Sequence, residues 1–149
     1  MRTLAIDLGS RRVGFALSDQ GGKLATPYEV FRVTSSAQAA DRTIQIIEKE
    51  GVERIVLGLP LNMDDSVGPA ARATIKWGSE LADRCRKALV FVDERLSSFE
   101  AEQGLLARKR EGEKITRKRK KEQLDALAAA GFLQGFLDGK LTPIDPELL

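Results

Sequence analysis

Strand-length apolar runs separated by turn residues fill the first third of the chain, and helical periodicities appear after it. Thr3-Leu4-Ala5-Ile6-Asp7-Leu8 and Val13-Gly14-Phe15-Ala16-Leu17-Ser18 are joined by Gly9-Ser10-Arg11-Arg12, which predicts a hairpin. Gly21-Gly22 supplies the next turn, and a third extended stretch follows over about 26–33. Thr34-Ser35-Ser36 offers N-caps for a helix over about 36–50, where Ala37, Ala40, Ile44 and Ile47 recur at helical spacing before Gly51. Residues 53–58 have the composition of a buried strand, closed by Gly58-Leu59-Pro60. A helix over about 67–86 precedes a second buried strand, Ala88-Leu89-Val90-Phe91-Val92, which ends at Asp93-Glu94-Arg95. Ser97-Ser98 caps a third helix reaching about 109. The last helix, about 117–137, has an alanine-rich middle (Ala126, Ala128, Ala129, Ala130) that permits close packing, and Thr142 to Pro146 form an extended tail.

The resulting order is β-β-β-α-β-α-β-α-α, and no repeat or linker divides it, so a single domain over 1–149 is expected. A three-strand meander followed by βαβ crossovers makes a mixed five-stranded sheet flanked by helices on both faces. If strands one, four and five run parallel, their carboxyl ends lie together, where open α/β sheets place their ligand crevice. The turns Asp7-Leu8-Gly9, Gly58-Leu59-Pro60 and Asp93-Glu94-Arg95 then converge, and two of the three carry acids.

Composition narrows the chemistry by exclusion. With 149 residues and 42% apolar content, the chain can bury one core of its own. It has no histidine, which rules out Ser-His-Asp and Cys-His triads, imidazole bases and His-rich zinc sites within it. The single cysteine, Cys85, allows neither an internal disulfide nor a thiolate cage. Any metal must be a hard cation held by carboxylates. An acid interrupts the N-terminal apolar run after three residues, and later runs fall short of the ~20 residues that span a bilayer. A cytoplasmic protein without membrane partners is expected.

Charge is distributed unevenly. Arg108 to Lys121 hold nine basic and two acidic residues, a net +7 against +2 for the whole chain, so the remainder carries −5. Charge runs often form solvated linkers. As a phosphate-binding arm, this one would make nucleic-acid binding steeply salt-dependent, with Arg117, Lys118, Arg119, Lys120 and Lys121 its densest part. Gly112 and the lack of aromatics favour a loop that contacts backbone rather than one that stacks bases.

Three acids stand out by position. Asp7 follows Leu4-Ala5-Ile6 at a strand end, where burial requires a hydrogen bond, an ion pair or a metal, although an aspartate there also caps hairpin turns. Glu94 directly follows an apolar strand, beside Asp93 and Arg95, a grouping equally compatible with a surface salt-bridge cluster. Asp125 precedes Ala128, Ala129, Phe132 and Phe136 on one helical face, unless the core stripe is Leu124-Leu127-Ala128 and Asp125 flanks it in solvent. Carboxylates without histidine suit two hard cations about 4 Å apart, which activate a water and stabilise the leaving oxygen of a phosphodiester. Arg11, Arg12 and Arg95 are candidates for contacting the scissile phosphate or its neighbours, or are ordinary surface arginines.

These residues also carry a family likeness. Asp7-Leu8-Gly9-Ser10-Arg11-Arg12-Val13-Gly14-Phe15-Ala16 resembles the D-x-G-x-x-R-x-G-x-A opening of the YqgF/RuvX family of RNase H-like proteins. Gly58-Leu59-Pro60-Leu61-Asn62, Asp93-Glu94-Arg95-Leu96-Ser97-Ser98 and the helix from Asp125 to Asp138 are similar to its later motifs, in order and over essentially the whole chain. The resemblance implies an RNase H-like fold and a metal-dependent nuclease, assigned either to Holliday-junction resolution or to maturing the 5′ end of small-subunit ribosomal RNA. It assigns Asp7, Glu94 (or its neighbour Asp93) and Asp125 as catalytic, metal-holding acids, with Mg²⁺ or Mn²⁺ as cofactor. One departure is Asp65, where the family usually has Gly; with Asp64 it adds negative charge near the phosphate path. Ser98, where Thr is common, is a minor one.

Three classes of function follow. The first is an endonuclease on structured RNA or branched DNA. The second is an ATPase of the actin/sugar-kinase superfold, which also opens D-x-G but needs a second domain that 149 residues cannot supply. The third is a non-catalytic RNA-binding ribosome-assembly factor. A junction resolvase needs two active sites and hence a homodimer, whereas trimming one RNA end needs only a monomer.

Overall fold

The structure, a computed structural model, describes residues 1–95 and 117–148, with backbone alone for 117–123 and 148. The helix expected after Ser97-Ser98 and the basic stretch up to 116 lie outside the described residues. The elements are β1 (Thr3–Leu8), β2 (Arg12–Ser18), β3 (Ala25–Arg32), α1 (Ser36–Glu50), β4 (Arg54–Leu59), α2 (Pro69–Cys85), β5 (Ala88–Asp93) and α3 (Arg117–Leu137). They follow the expected order, and their ends have local causes. Ser35 caps α1 by accepting from the Gln38 backbone N–H, and Gly51 stops it in the left-handed conformation at φ 64°. Pro69 opens α2, where its missing N–H costs nothing, after Gly68 as N-cap.

The five strands form one sheet in the order β3-β2-β1-β4-β5. β1, β2 and β3 pair antiparallel, while β1, β4 and β5 run parallel, so the carboxyl ends of the three parallel strands share one edge. Each face of the sheet has its own core. Leu4, Ile6, Phe15, Leu57 and Phe91 pack with Ile46, Trp77 and Leu81 of α1 and α2. Ala5, Ala16, Val56 and Val92 pack on the other face against Ala129, Phe132 and Leu133 of α3. The sheet side of this second layer is built of small residues, which lets α3 approach closely, as its own alanines also require. The tail is fixed by an Ile144 N–H donated to the Phe91 carbonyl at 2.7 Å. Among the described residues, no helix is long and apolar enough to cross a membrane.

Candidate active site

Strand parity decides which side chains meet. On β1, Leu4 and Ile6 belong to the α1/α2 layer and Ala5 to the α3 layer, so Asp7, two residues on, falls on the α3 side. The same alternation assigns Gly14, the register partner of Asp7, and Gly58 of β4 to that side. On β5, Phe91 faces α1/α2 and Val92 faces α3, so Asp93 and Glu94 are sorted to opposite faces.

Two glycines make room for the acids. A Cβ on Gly58 would lie 2.6 Å from Glu94 Oε2 and 2.8 Å from the Phe132 ring, so only a bare backbone admits both side chains. A Cβ on Gly14 would collide with the Asp125 carbonyl oxygen. The α3 backbone therefore crosses directly over β2 at Asp125 and brings that acid to the face of Asp7.

Asp7 and Glu94 are hydrogen-bonded to each other through their side chains. Burial pushes Asp7 up to about 6, against the opposing effect of the hydrogen bond from Glu94, and the nearby Asp125 charge adds to the rise. Burial, with the charge and hydrogen bond of Asp7, pushes Glu94 up to about 9. Glu94 thus keeps its proton at neutral pH and donates it to the Asp7 carboxylate, while its Oε2 is shut off from solvent. Asp125 is engaged differently: Arg12 Nε donates to Asp125 Oδ2 at 2.6 Å, with both side chains about a quarter to a third exposed, at 26% and 32%. Asp7, Arg11, Arg12 and Asp125 line one cleft of about 210 Å³, floored by the Gly9-Ser10 turn.

The other sequence candidates are distributed unequally. Arg95 donates to both Asp93 oxygens, at 2.6–3.1 Å, to the Asn62 carbonyl at 2.7 Å and to Asp65 at 2.5 Å. Asp93 is held below the usual carboxylate range by that bond, on the face away from Asp7. Arg95 therefore ties the loop after β4 to the end of β5. Asp65 stands in the left-handed region at φ 67°, which gives a conformational reason for the family's usual glycine there. Its charge is matched by Arg95, and Asp64 accepts from the Ser66 backbone N–H at 3.0 Å, so the two extra acids are locally engaged. Arg117 to Lys121 form the start of α3, four to eight residues before Asp125 on the same helix, or about 6–12 Å along its axis.

Sequence reasoning missed the Arg12–Asp125 pair and the close crossings at Gly14 and Gly58. A glycine inside an apolar strand is a signal for close approach, and Gly58 in Ile55-Val56-Leu57-Gly58-Leu59 offered it. Among the described residues, no three acidic or cysteine side chains are gathered closely enough to hold a metal ion together. Asp7 and Glu94 offer two hard oxygen ligands in contact, and release of Asp125 from Arg12 would offer the third.

The chain matches the family model described as "RuvX: Holliday junction resolvase" over residues 1–139. A protein of Acidiphilium cryptum described as "Putative pre-16S rRNA nuclease" is 39% identical over 137 residues, covering 92% of this chain and 84% of its own. One of the same description from Lactiplantibacillus plantarum is 39% identical over 146 residues, covering 95% and 99%. Among solved structures, Thermus thermophilus RuvC in complex with a Holliday junction substrate superposes with a TM-score of 0.60 at 15% identity, over 97% of this chain and 100% of that one. That likeness is one of fold: a mixed five-stranded sheet of RNase H type, flanked by helices. The chain belongs to the RuvX family of Holliday junction resolvases.

Proposed function

We propose that this chain is a metal-dependent endonuclease that hydrolyses phosphodiester bonds in nucleic acid, with Asp7, Glu94 and Asp125 as its catalytic acids. The observation that carries this reading is the Asp7–Glu94 contact: two carboxyls crowded together at the shared end of parallel strands, with a third acid on the helix crossing over them. Such crowding keeps a proton on the pair at neutral pH, and a divalent cation is the natural replacement for that proton. Mg²⁺ or Mn²⁺, as two ions, would supply Lewis-acid stabilisation of the phosphoryl oxygens and an activated water. The chain's own residues bind and orient. Arg11 is exposed at the cleft mouth to meet an incoming phosphate, and Arg12 lies beside it, exchanging Asp125 for a phosphate oxygen. Arg95 holds the neighbouring loop in place, and the basic start of α3 tracks the substrate backbone.

The preferred substrate is the 5′ end of the small-subunit ribosomal RNA precursor, in the cytoplasm, supported by the description shared by relatives 39% identical over nine-tenths or more of this chain. The family's description supports a second reading, resolution of branched DNA, which needs two active sites and hence a homodimer. One experiment separates them: a labelled ribosomal RNA precursor and a four-way DNA junction are incubated with Mg²⁺ or Mn²⁺ and wild-type or Asp7→Asn protein. Metal-dependent cleavage lost in Asp7→Asn supports the nuclease, and the substrate cut identifies which. Equal activity in Asp7→Asn, or activity in EDTA, overturns it. A binder that cuts neither substrate is the assembly-factor outcome. Mass in solution with and without the junction reports whether a dimer forms.

A further inference from the structure

A cavity of about 650 Å³ opens on the α1/α2 side of the sheet edge, across the Gly9-Ser10 turn from the acid cleft on the α3 side, and that turn lines both. One face of α2 forms its wall: Ala70, Ala73, Thr74 and Trp77, at i, i+3, i+4 and i+7. Ser35, Ser36 and Ala39 at the start of α1 face them. Small residues on both sides leave the space between the helices unfilled. Trp77 is immobilised, with its indole N–H donated to the Ser36 carbonyl at 3.0 Å and only 7% of its surface exposed. The lining is mostly apolar, and Ser10, Ser35, Ser36, Thr74, Lys76 and Glu80 add polar groups around it. A cavity in the range of about 300–1,000 Å³, apolar with a few convergent polar groups, is the usual form of a site for one small flat molecule.

We propose that this cavity receives one unpaired base of the bound nucleic-acid strand, adjoining the nucleotide whose phosphate enters the acid cleft. The inference rests on the proposed nuclease reading and adds a base-binding subsite to it. Gly9-Ser10 lines the acid cleft on one side and this cavity on the other, so a strand held at the cleft has the recess within reach across that turn. Enzymes that do chemistry on a base take it out of the stack into a shaped pocket, and a base that is already unpaired costs least to place in one. Lys76 at the wall supplies a cation for the flanking phosphate. A purine or pyrimidine ring of a free nucleotide shares this chemistry, so the test separates strand from monomer.

Trp77 is the only tryptophan in the chain, so tryptophan emission arises wholly from a residue of this wall. In EDTA, the full chain is titrated with an oligonucleotide carrying a duplex stem and a single-stranded arm, with one abasic site moved along the arm. Affinity is followed by anisotropy of a labelled copy, and Trp77 emission with an unlabelled one. The expected result is a change in Trp77 emission on binding that vanishes at one abasic position, together with about a tenfold loss of affinity. Ala73→Phe fills the cavity from an exposed helix position, so folding is retained; Ala70→Leu is an independent second plug. Each plug should weaken the intact strand to the same extent and cause no further loss with the abasic one. Equal binding and emission at every abasic position overturn the proposal while leaving the nuclease reading intact. A response to nucleoside monophosphate without one to the strand also overturns it, in favour of a free-nucleotide site. No binding of any strand overturns the nucleic-acid reading itself.

Discussion

Arg12 Nε stands 2.6 Å from Asp125 Oδ2, joining the start of β2 to α3 across 113 positions of sequence. The contact occupies the third of the proposed catalytic acids with a positive side chain at the place where a cation is proposed. Arg12 and a divalent ion therefore compete for one carboxylate. Arg12→Gln should tighten Mg²⁺ or Mn²⁺ binding several-fold by calorimetry, because the competitor is gone. Stability should change little, since a partly exposed pair contributes about 0.2–1 kcal/mol. Metal affinity equal to wild type would mean that Asp125 is no ligand.

The Asp7–Glu94 pair gives stability an unusual pH dependence. Both carboxyls are raised in the folded protein, to about 6 and about 9, so the fold binds protons more tightly than the unfolded chain does. Their stabilisation is fully present below about pH 4, near the ordinary carboxylate values, and is lost as pH rises through about 6 and then about 9. In metal-free protein, Glu94→Gln preserves a donor to Asp7 and removes the charge that must form at high pH. Its melting temperature at pH 9 should exceed that of wild type by a few degrees, as about 1 kcal/mol moves it roughly 2–4 °C in a domain of this size. The difference should shrink towards pH 5. Parallel melting curves across that range would show this burden to be absent.

The strand and helix order was legible because turn glycines, prolines and caps punctuate the chain, and the described elements follow them within a few residues. The sharing of one end by Asp7 and Glu94 followed from topology alone. Choosing between Asp93 and Glu94 did not, and the reason is physical. Val90, Phe91 and Val92 lie on a strand covered on both faces, so no polar alternation marks which side each faces. Only the layers reveal the parity. Arg12 looks like a phosphate ligand in sequence because its partner lies 113 positions away and leaves no local trace, whereas for Arg95 the neighbouring Asp93 was a visible partner and only Asp65, 30 positions away, was not.

Gly14 is the position where substitution should disturb the site without touching its chemistry. A Cβ there meets the Asp125 carbonyl and the following backbone nitrogen, neither of which can rotate away. Gly14→Ala must displace α3 or bend β2, and overpacking of this kind costs about 1–3 kcal/mol. Thermal unfolding should record that loss, and Asp125 should move away from Asp7, lowering metal affinity as well. An unchanged melting temperature would contradict the close crossing.

Asp65 makes the opposite prediction. At φ 67° it occupies a conformation that glycine adopts freely, while its carboxylate pairs with Arg95 from a largely exposed position, 79% accessible. Relief of the backbone and loss of the ion pair act against each other, each below or near about 1 kcal/mol. Asp65→Gly should leave stability within about 0.5 kcal/mol of wild type, whereas Asp65→Val, β-branched in the left-handed region, should cost more. Equal losses in both variants would show the ion pair to be the dominant contribution.

The basic start of α3 is proposed to meet the substrate's phosphates. Arg117, Lys118, Arg119, Lys120 and Lys121 precede Asp125 on one helix, so a backbone that they hold is delivered beside the acid cleft. Binding through phosphates releases counterions, and the slope of log affinity against log salt is about 0.9 per contact on duplex DNA and 0.7 on a single strand. Replacing all five residues by Gln should flatten that slope by up to about 4.5 on a duplex and 3.5 on a single strand, with a similar loss for every sequence tested. Gln keeps helix propensity close to that of Lys and Arg, so α3 should persist by circular dichroism. A slope equal to that of wild type would assign the run to solvent and leave Arg11 and Arg12 as the phosphate contacts.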